Sequence, residues 1–143
     1  MNGEFCIAIH ALIYLHRCGR ITSSEDLAKN ICTNPVQVRK VMSRLKKEGL
    51  IAAREGGGHS GYRFCGNTET ISLLQIVDAL EMRCIQMRWH SGRVDVDCLE
   101  AAGMSGLMDE IVGDLETCCR NRMNEITLEN LERKLFKNET GRE

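Results

Sequence analysis

The most constraining stretch of this sequence is Asn34-Pro35-Val36-Gln37, followed by an amphipathic run that stops at Gly49. Asn is a good helix N-cap, Pro suits the first helical position, and Gln37 stands where it can close a capping box. Val38, Val41, Met42 and Leu45 recur at i, i+3, i+4 and i+7, so they share one apolar stripe. The opposite face collects Val36, Gln37, Arg39, Lys40, Ser43, Arg44 and Lys47. A helix that starts this sharply, apolar on one side and cationic on the other, packs one face and offers the other to a polyanion.

Its neighbours narrow the fold further. Residues 3–18 read as a helix with Phe5, Ile9, Leu12, Ile13 and His16 on one side, closed by Gly19. Ser23 and Asp26 open a short second helix with Leu27, Ala28 and Ile31 inward. Asn30 is the residue expected to take the left-handed turn. Residues 50–54 and 62–65 are strand candidates around a glycine-rich tip at 55–61. Ser72 with Gln75 marks a fourth helix. Residues 82–103 are poorly periodic and read as a loop. A long helix then runs from Ser105 at least to Arg122, and Thr127 caps a last short one.

The expected fold class is therefore mainly α with a small β-hairpin wing, a winged helix-turn-helix domain plus a long C-terminal dimerisation helix. The expected division is 1–81 for the DNA-binding domain, 82–104 for a loop and candidate sensor segment, 105–137 for the dimerisation region, and 138–143 for a disordered tail. Leu107, Ile111, Leu115, Cys118 and Met123 form a stripe longer than a small domain needs for its own core. They are the candidate dimer interface.

Charge supports the same division. Residues 17–63 carry ten Lys and Arg against four acids, whereas 94–117 hold seven acids and neither Lys nor Arg. The net charge of −1 hides this split. With 143 residues, 43% hydrophobic and 27% charged, the chain has the composition of one globular domain. No apolar run approaches the ~20 residues of a membrane span, and the run at residues 5–15 does not read as a secretory signal. Eight cysteines without a CxxC pair read as reduced thiols of a cytoplasmic protein. Cys6, Cys18 and Cys32 are expected to be small buried hydrophobes.

In a helix-turn-helix the second helix enters the major groove with its first residues nearest the bases. The candidate DNA contacts are Ser23, Ser24, Asn34, Val36, Gln37, Arg39, Lys40, Ser43, Arg44 and Lys47, with Arg54, His59 and Arg63 from the wing. Gln37 and Lys40 suit base edges, and Arg44 and Lys47 continue their line as phosphate contacts. No P-loop, GxSxG, HExxH or tight His/Cys/Asp cluster occurs, so no enzyme is expected. A winged helix that binds protein instead of DNA would show an apolar or acidic helix face, and this one is cationic.

These segments together resemble the Rrf2 family of bacterial transcription regulators over nearly the whole chain. The resemblance rests on Ser23-Ser24-Glu25-Asp26-Leu27-Ala28, Asn34-Pro35-Val36-Gln37-Val38-Arg39-Lys40 and Leu45-Lys46-Lys47-Glu48-Gly49-Leu50-Ile51. It continues through Gly61-Tyr62-Arg63-Phe64, Ile71-Ser72-Leu73-Leu74-Gln75-Ile76-Val77 and Ile126-Thr127-Leu128-Glu129-Asn130-Leu131. The Asn-Pro start is similar to one subgroup. The resemblance implies a homodimer joined through the long helix, binding an imperfect palindrome in double-stranded DNA, with repression favoured.

Many members of that family hold a [2Fe–2S] cluster on three closely spaced cysteines after the fourth helix, plus a variable ligand. This chain departs from that pattern. Cys84 stands near the first position, the next cysteine is Cys98, and His90 lies between. Glu4 sits where some members use an acid. Glu4, Cys84, His90 and Cys98 are thus weak metal candidates, and no cofactor is predicted. Cys84 and Cys98 are the redox-sensor candidates, since they flank a loop and Arg83 and Arg88 neighbour Cys84. A small-molecule or protein effector acting on plain structural cysteines is the alternative.

Overall fold

The computed structural model describes residues 2–137 and 139. Helix α1, Gly3–Cys18, starts where the Asn2 side chain accepts from the Glu4 amide. It ends at Gly19, whose left-handed φ of 62° returns its amide to Leu15. Ser23 caps α2, Ser24–Ile31, by accepting from the Asp26 amide at 3.1 Å. Asn34 caps α3, Pro35–Lys47, by accepting from the Gln37 amide at 3.0 Å. Strands β1, Ile51–Arg54, and β2, Gly61–Phe64, pair antiparallel with Ile51 opposite Phe64 and Arg54 opposite Gly61. Then follow α4, Leu73–Ala79, α5, Leu99–Glu125, and α6, Leu128–Phe136.

The core gathers on α1. Leu12 and Leu15 meet Leu27 of α2, Val38, Val41, Met42 and Leu45 of α3, Ile76 and Val77 of α4, and Leu128 of α6. The α3 stripe read from spacing is fully buried. At roughly 1.5–3 kcal/mol per buried aliphatic side chain, it fixes which face of α3 remains outside. The wing is held by a bridge between Thr22 and Tyr62, each donating its amide to the other's carbonyl at 2.9 Å. Gly61 makes this approach feasible, because a Cβ there would lie 2.5 Å from the Thr22 carbonyl oxygen.

Several expectations need correction. The left-handed turn between α2 and α3 falls on Cys32, with φ 62°, and not on Asn30. Asn30 stays helical because its side chain is hydrogen-bonded to His10 Nε2 at 2.8 Å. The long helix begins at Leu99, not Ser105. Gly103 looks like a breaker, yet a helical glycine costs only ~1 kcal/mol against alanine and this helix absorbs it along with Gly106. The α3 cap is a single bond from Asn34, without the reciprocal Gln37 bond. A full capping box forms instead at Thr127 and Asn130.

The chain's end returns to the DNA-binding part. Leu73 donates its amide to Ile126 and Leu128 donates to Ile71, both at 2.9 Å, so α6 shares the common core. Of the expected disordered tail, residues 138 and 140–143 lie outside the described residues.

Glu116 of α5 pins the segment that leaves α4. Its carboxylate accepts from the Cys84 amide at 3.1 Å and the Ile85 amide at 2.7 Å. Burial disfavours its charge, but these two bonds and the nearby Arg83 and Arg120 outweigh that and hold its pKa below the usual carboxylate value. Glu116→Ala strips two amides of their partner and should cost about 1–3 kcal/mol in urea unfolding. Glu116→Gln, which keeps one acceptor, should cost less.

Candidate nucleic-acid interface

The uncovered side of α3 is a cationic strip. Val36 is 65% exposed, and Arg39, Lys40, Ser43, Lys46 and Lys47 are exposed along the same side. Residues 36, 40, 43 and 47 follow i, i+4, i+7, i+11, the spacing of a line parallel to the helix axis. Gln37 sits at its edge, half-buried. Asn34 is spent on the cap, so it orients the helix start while the positive helix end faces outward.

Beside this strip lies a groove of about 250 Å³ between α3, the start of α2 and the wing. Ser23, Ser24, Ser43, Lys46, Arg54, Ser60 and Tyr62 line it. Ser24 is buried, accepting from Arg39 at 3.2 Å and donating to Glu25 at 3.1 Å. Arg39 also pairs with Glu25 at 3.5 Å, while a second acid, Glu55, lines the groove from the wing side. Burial of Tyr62 pushes its phenol above the usual value; Arg39 opposes this and Glu25 and Glu55 add to it. The hydroxyl thus stays protonated, able to donate. Arg54 closes β1, Arg63 faces outward from β2, and His59 sits exposed in the 3-10 turn Gly57–His59 at the tip.

The spacing missed an internal clamp. Glu4 of α1 reaches α3, where it pairs with Lys40 and, at 3.0 Å, with Arg44. Arg44 also donates to the Leu80 carbonyl at 3.0 Å. Arg44 is therefore a brace between α1, α3 and the end of α4. No local signal marks this, since the partners are 40 residues apart. Lys46, which the sequence reading left out of the site, joins it because it lies one turn beyond Ser43. Glu4→Gln should remove a carboxylate that competes with phosphate for Lys40. A titration of generic duplex binding should then show tighter binding, most clearly at low salt.

The cysteines invert their expected order. Cys6 and Cys32 are exposed and Cys18 is half-buried, whereas Cys84 is only 8% exposed. Desolvation, a hydrogen bond with Cys119 and the Glu116 charge push the Cys84 thiol up to about 11. The segment after α4 thus holds Cys84 inside, against the expectation of a mobile, activated thiol. Alkylation of the native protein should label Cys6, Cys32, Cys65 and Cys98 well before Cys84, as peptide mapping would read. Cys98 sits at the start of α5 and its thiol donates to Glu100 at 3.2 Å.

On α5, Leu107, Ile111 and Leu115 are 42–49% exposed and Cys118 is exposed too. Met123 leaves this stripe and packs in the core against Cys84. A repeat of four residues drifts about 40° per step around an α-helix, which turns Met123 inward.

Comparison with known proteins places this arrangement. A family model described as Rrf2, iron-dependent transcriptional regulator, matches residues 1–134. YwnA of Bacillus subtilis (strain 168), assigned as an HTH-type transcriptional regulator, is 26% identical over 136 residues, covering 95% of this chain and 99% of YwnA. A Lactobacillus plantarum chain assigned as a transcriptional regulator superposes with a TM-score of 0.80 at 21% identity over all of both chains. CymR, the global cysteine regulator of B. subtilis, gives 0.63 at 16% identity, covering 92% of this chain and 94% of CymR. These are regulators, not enzymes.

The iron in the family's description must be tested against these residues. Glu4 is engaged by Lys40 and Arg44. His90 is bound to Asp109 at 2.7 Å, Cys98 lies at the surface, and Cys84 lies inside. Among the described residues, no three His, Cys, Asp or Glu side chains are grouped to hold a metal. The four metal candidates therefore do not form one site within the chain and do not fit a [2Fe–2S] cluster.

Proposed function

Because the chain belongs to the Rrf2 family of transcriptional regulators, we propose that it works as a homodimer that binds an imperfect palindrome and represses transcription there. The observation that carries this is the exposed line of Val36, Lys40, Ser43 and Lys47 beside the wing. Lys46 and Lys47, with Lys40, meet phosphate. Gln37 and Val36, near the helix start, meet base edges, where an amide reads adenine and an apolar group meets the thymine methyl. Ser23, the groove hydroxyls and Arg54 and Arg63 fix the protein on the backbone.

The exposed Leu107, Ile111 and Leu115 supply the seam of the dimer, a two-fold contact in which the same patch serves both partners. The protein acts in the cytoplasm, where a bacterial transcription regulator meets its DNA. Redox state or a small effector sets its affinity.

Selection of bound duplexes from a random pool tests the reading. The expected result is two related half-sites, their centres one DNA turn of ~34–36 Å apart or a multiple of it. Selection that enriches no half-site, or only single ones, would overturn the dimeric reader. Gln37→Ala should relax preference at one base pair by about 1–3 kcal/mol, read as flattened enrichment at that position.

A further inference from the structure

Three sulfurs meet where the chain leaving α4 crosses α5. Cys84 Sγ lies 3.4 Å from Met123 Sδ, and its thiol is hydrogen-bonded to Cys119. Cys119 and Met123 are one turn apart on α5, at i and i+4, so both project from the face that covers Cys84. Cys84 and Met123 are buried, while Cys119 is half-buried and gives solvent a way in. The cluster belongs to neither the DNA strip nor the dimer stripe.

Two thiols and a thioether are soft donors, the kind that select Cu(I) over harder cations. Zn²⁺ in a structural site asks for four ligands, tetrahedrally placed. Among the described residues Glu116 is the carboxylate bound to this segment, and its two oxygens are taken by the Cys84 and Ile85 amides. Sulfur alone therefore remains. Glu116 and Arg120 are the charges that act on Cys84, with opposite sign, and Arg83 and Arg120 offset the charge of Glu116. Arg120 is itself anchored to Asp78 of α4 at 2.9 Å.

We propose that Cys84, Cys119 and Met123 form a binding site for one Cu(I) ion, held by two thiolates and one thioether. Binding forms three Cu–S bonds and releases two thiol protons to solvent, with no change of oxidation state. It ties the irregular segment between α4 and α5 to the long helix. The site stands on its own sulfur geometry and does not depend on the DNA-binding reading.

The test is anaerobic titration of the full, reduced chain with Cu(I) against bicinchoninate as competitor, followed by thiolate-to-copper absorption in the ultraviolet. One Cu(I) per chain should resist the competitor. Cys84→Ser and Cys119→Ser should lose it. Removing even an outer-shell partner of a metal costs about 10–100-fold, so Met123→Leu should weaken binding at least about tenfold. Cys98→Ser and Cys118→Ser should bind as the parent does. X-ray absorption of the loaded parent should show a shell of sulfur only, which guards against a variant that misfolds. Failure of the parent to hold copper against the competitor would overturn the site. So would oxygen or nitrogen in its first shell, tighter retention of Zn²⁺ than Cu(I), or binding that survives in a folded Cys84→Ser.

Discussion

A chain carrying Lys40→Ala, Lys46→Ala and Lys47→Ala together should keep its fold and lose most of its affinity for any duplex. The three side chains lie on the exposed side of α3, opposite the buried Val38, Val41, Met42 and Leu45. Their removal leaves the core untouched, and among the described residues only Lys40 gives up an ion pair, with Glu4. Each phosphate contact contributes about 0.9 to the slope of log K against log salt, or about 1 kcal/mol near 0.1 M. Three lost contacts then weaken binding on the order of several hundredfold, and the slope should flatten by about 2.7. Circular dichroism should be unchanged. If the triple variant binds as the parent does, α3 is not the helix that meets DNA.

The second large effect lies in the dimer. Ile111→Asp with Leu115→Asp should convert the dimer into a folded monomer. In the single chain both side chains already face solvent, at 42% and 48% exposed. A carboxylate there costs little in the monomer, but in a seam it would be buried unpaired, at several kcal/mol. Dissociation without unfolding is the expected signature. Sedimentation should show half the mass while the urea midpoint, extrapolated to the monomer, stays in place. The contrasting control is Met123→Asp, which puts charge into the intrachain core and should unfold the chain. An unchanged dimer in the first variant would put the seam elsewhere.

Local signals carried most of the fold. Asn34-Pro35, Gly19 and Ser72 are each read within a few residues of where they act, because caps and turns are short-range. The α3 stripe was equally legible, since burial at i, i+3, i+4, i+7 is the helix period itself. The wing's strands differ by only a residue at their ends. What escaped depends on long-range contact. Nothing near Glu4 announces Lys40 and Arg44, which fold onto it from α3. Cys84 reads as a loop residue until α5 passes over it and Glu116 takes its amide. Asn30 was the better left-handed candidate on propensity, and a tertiary bond to His10 overrode that. Met123 fits the apolar pattern, but its angle around the helix assigns it to a different partner.

The central claim is that the cationic side of α3 and the wing meet the DNA backbone. Its most direct measurement is the equilibrium binding of the full chain to a generic duplex across a series of salt concentrations. A steep linear fall of log K with log salt, with a slope corresponding to several neutralised phosphates, is the expected result. Binding that is absent at low salt, or that does not change with salt, would contradict it.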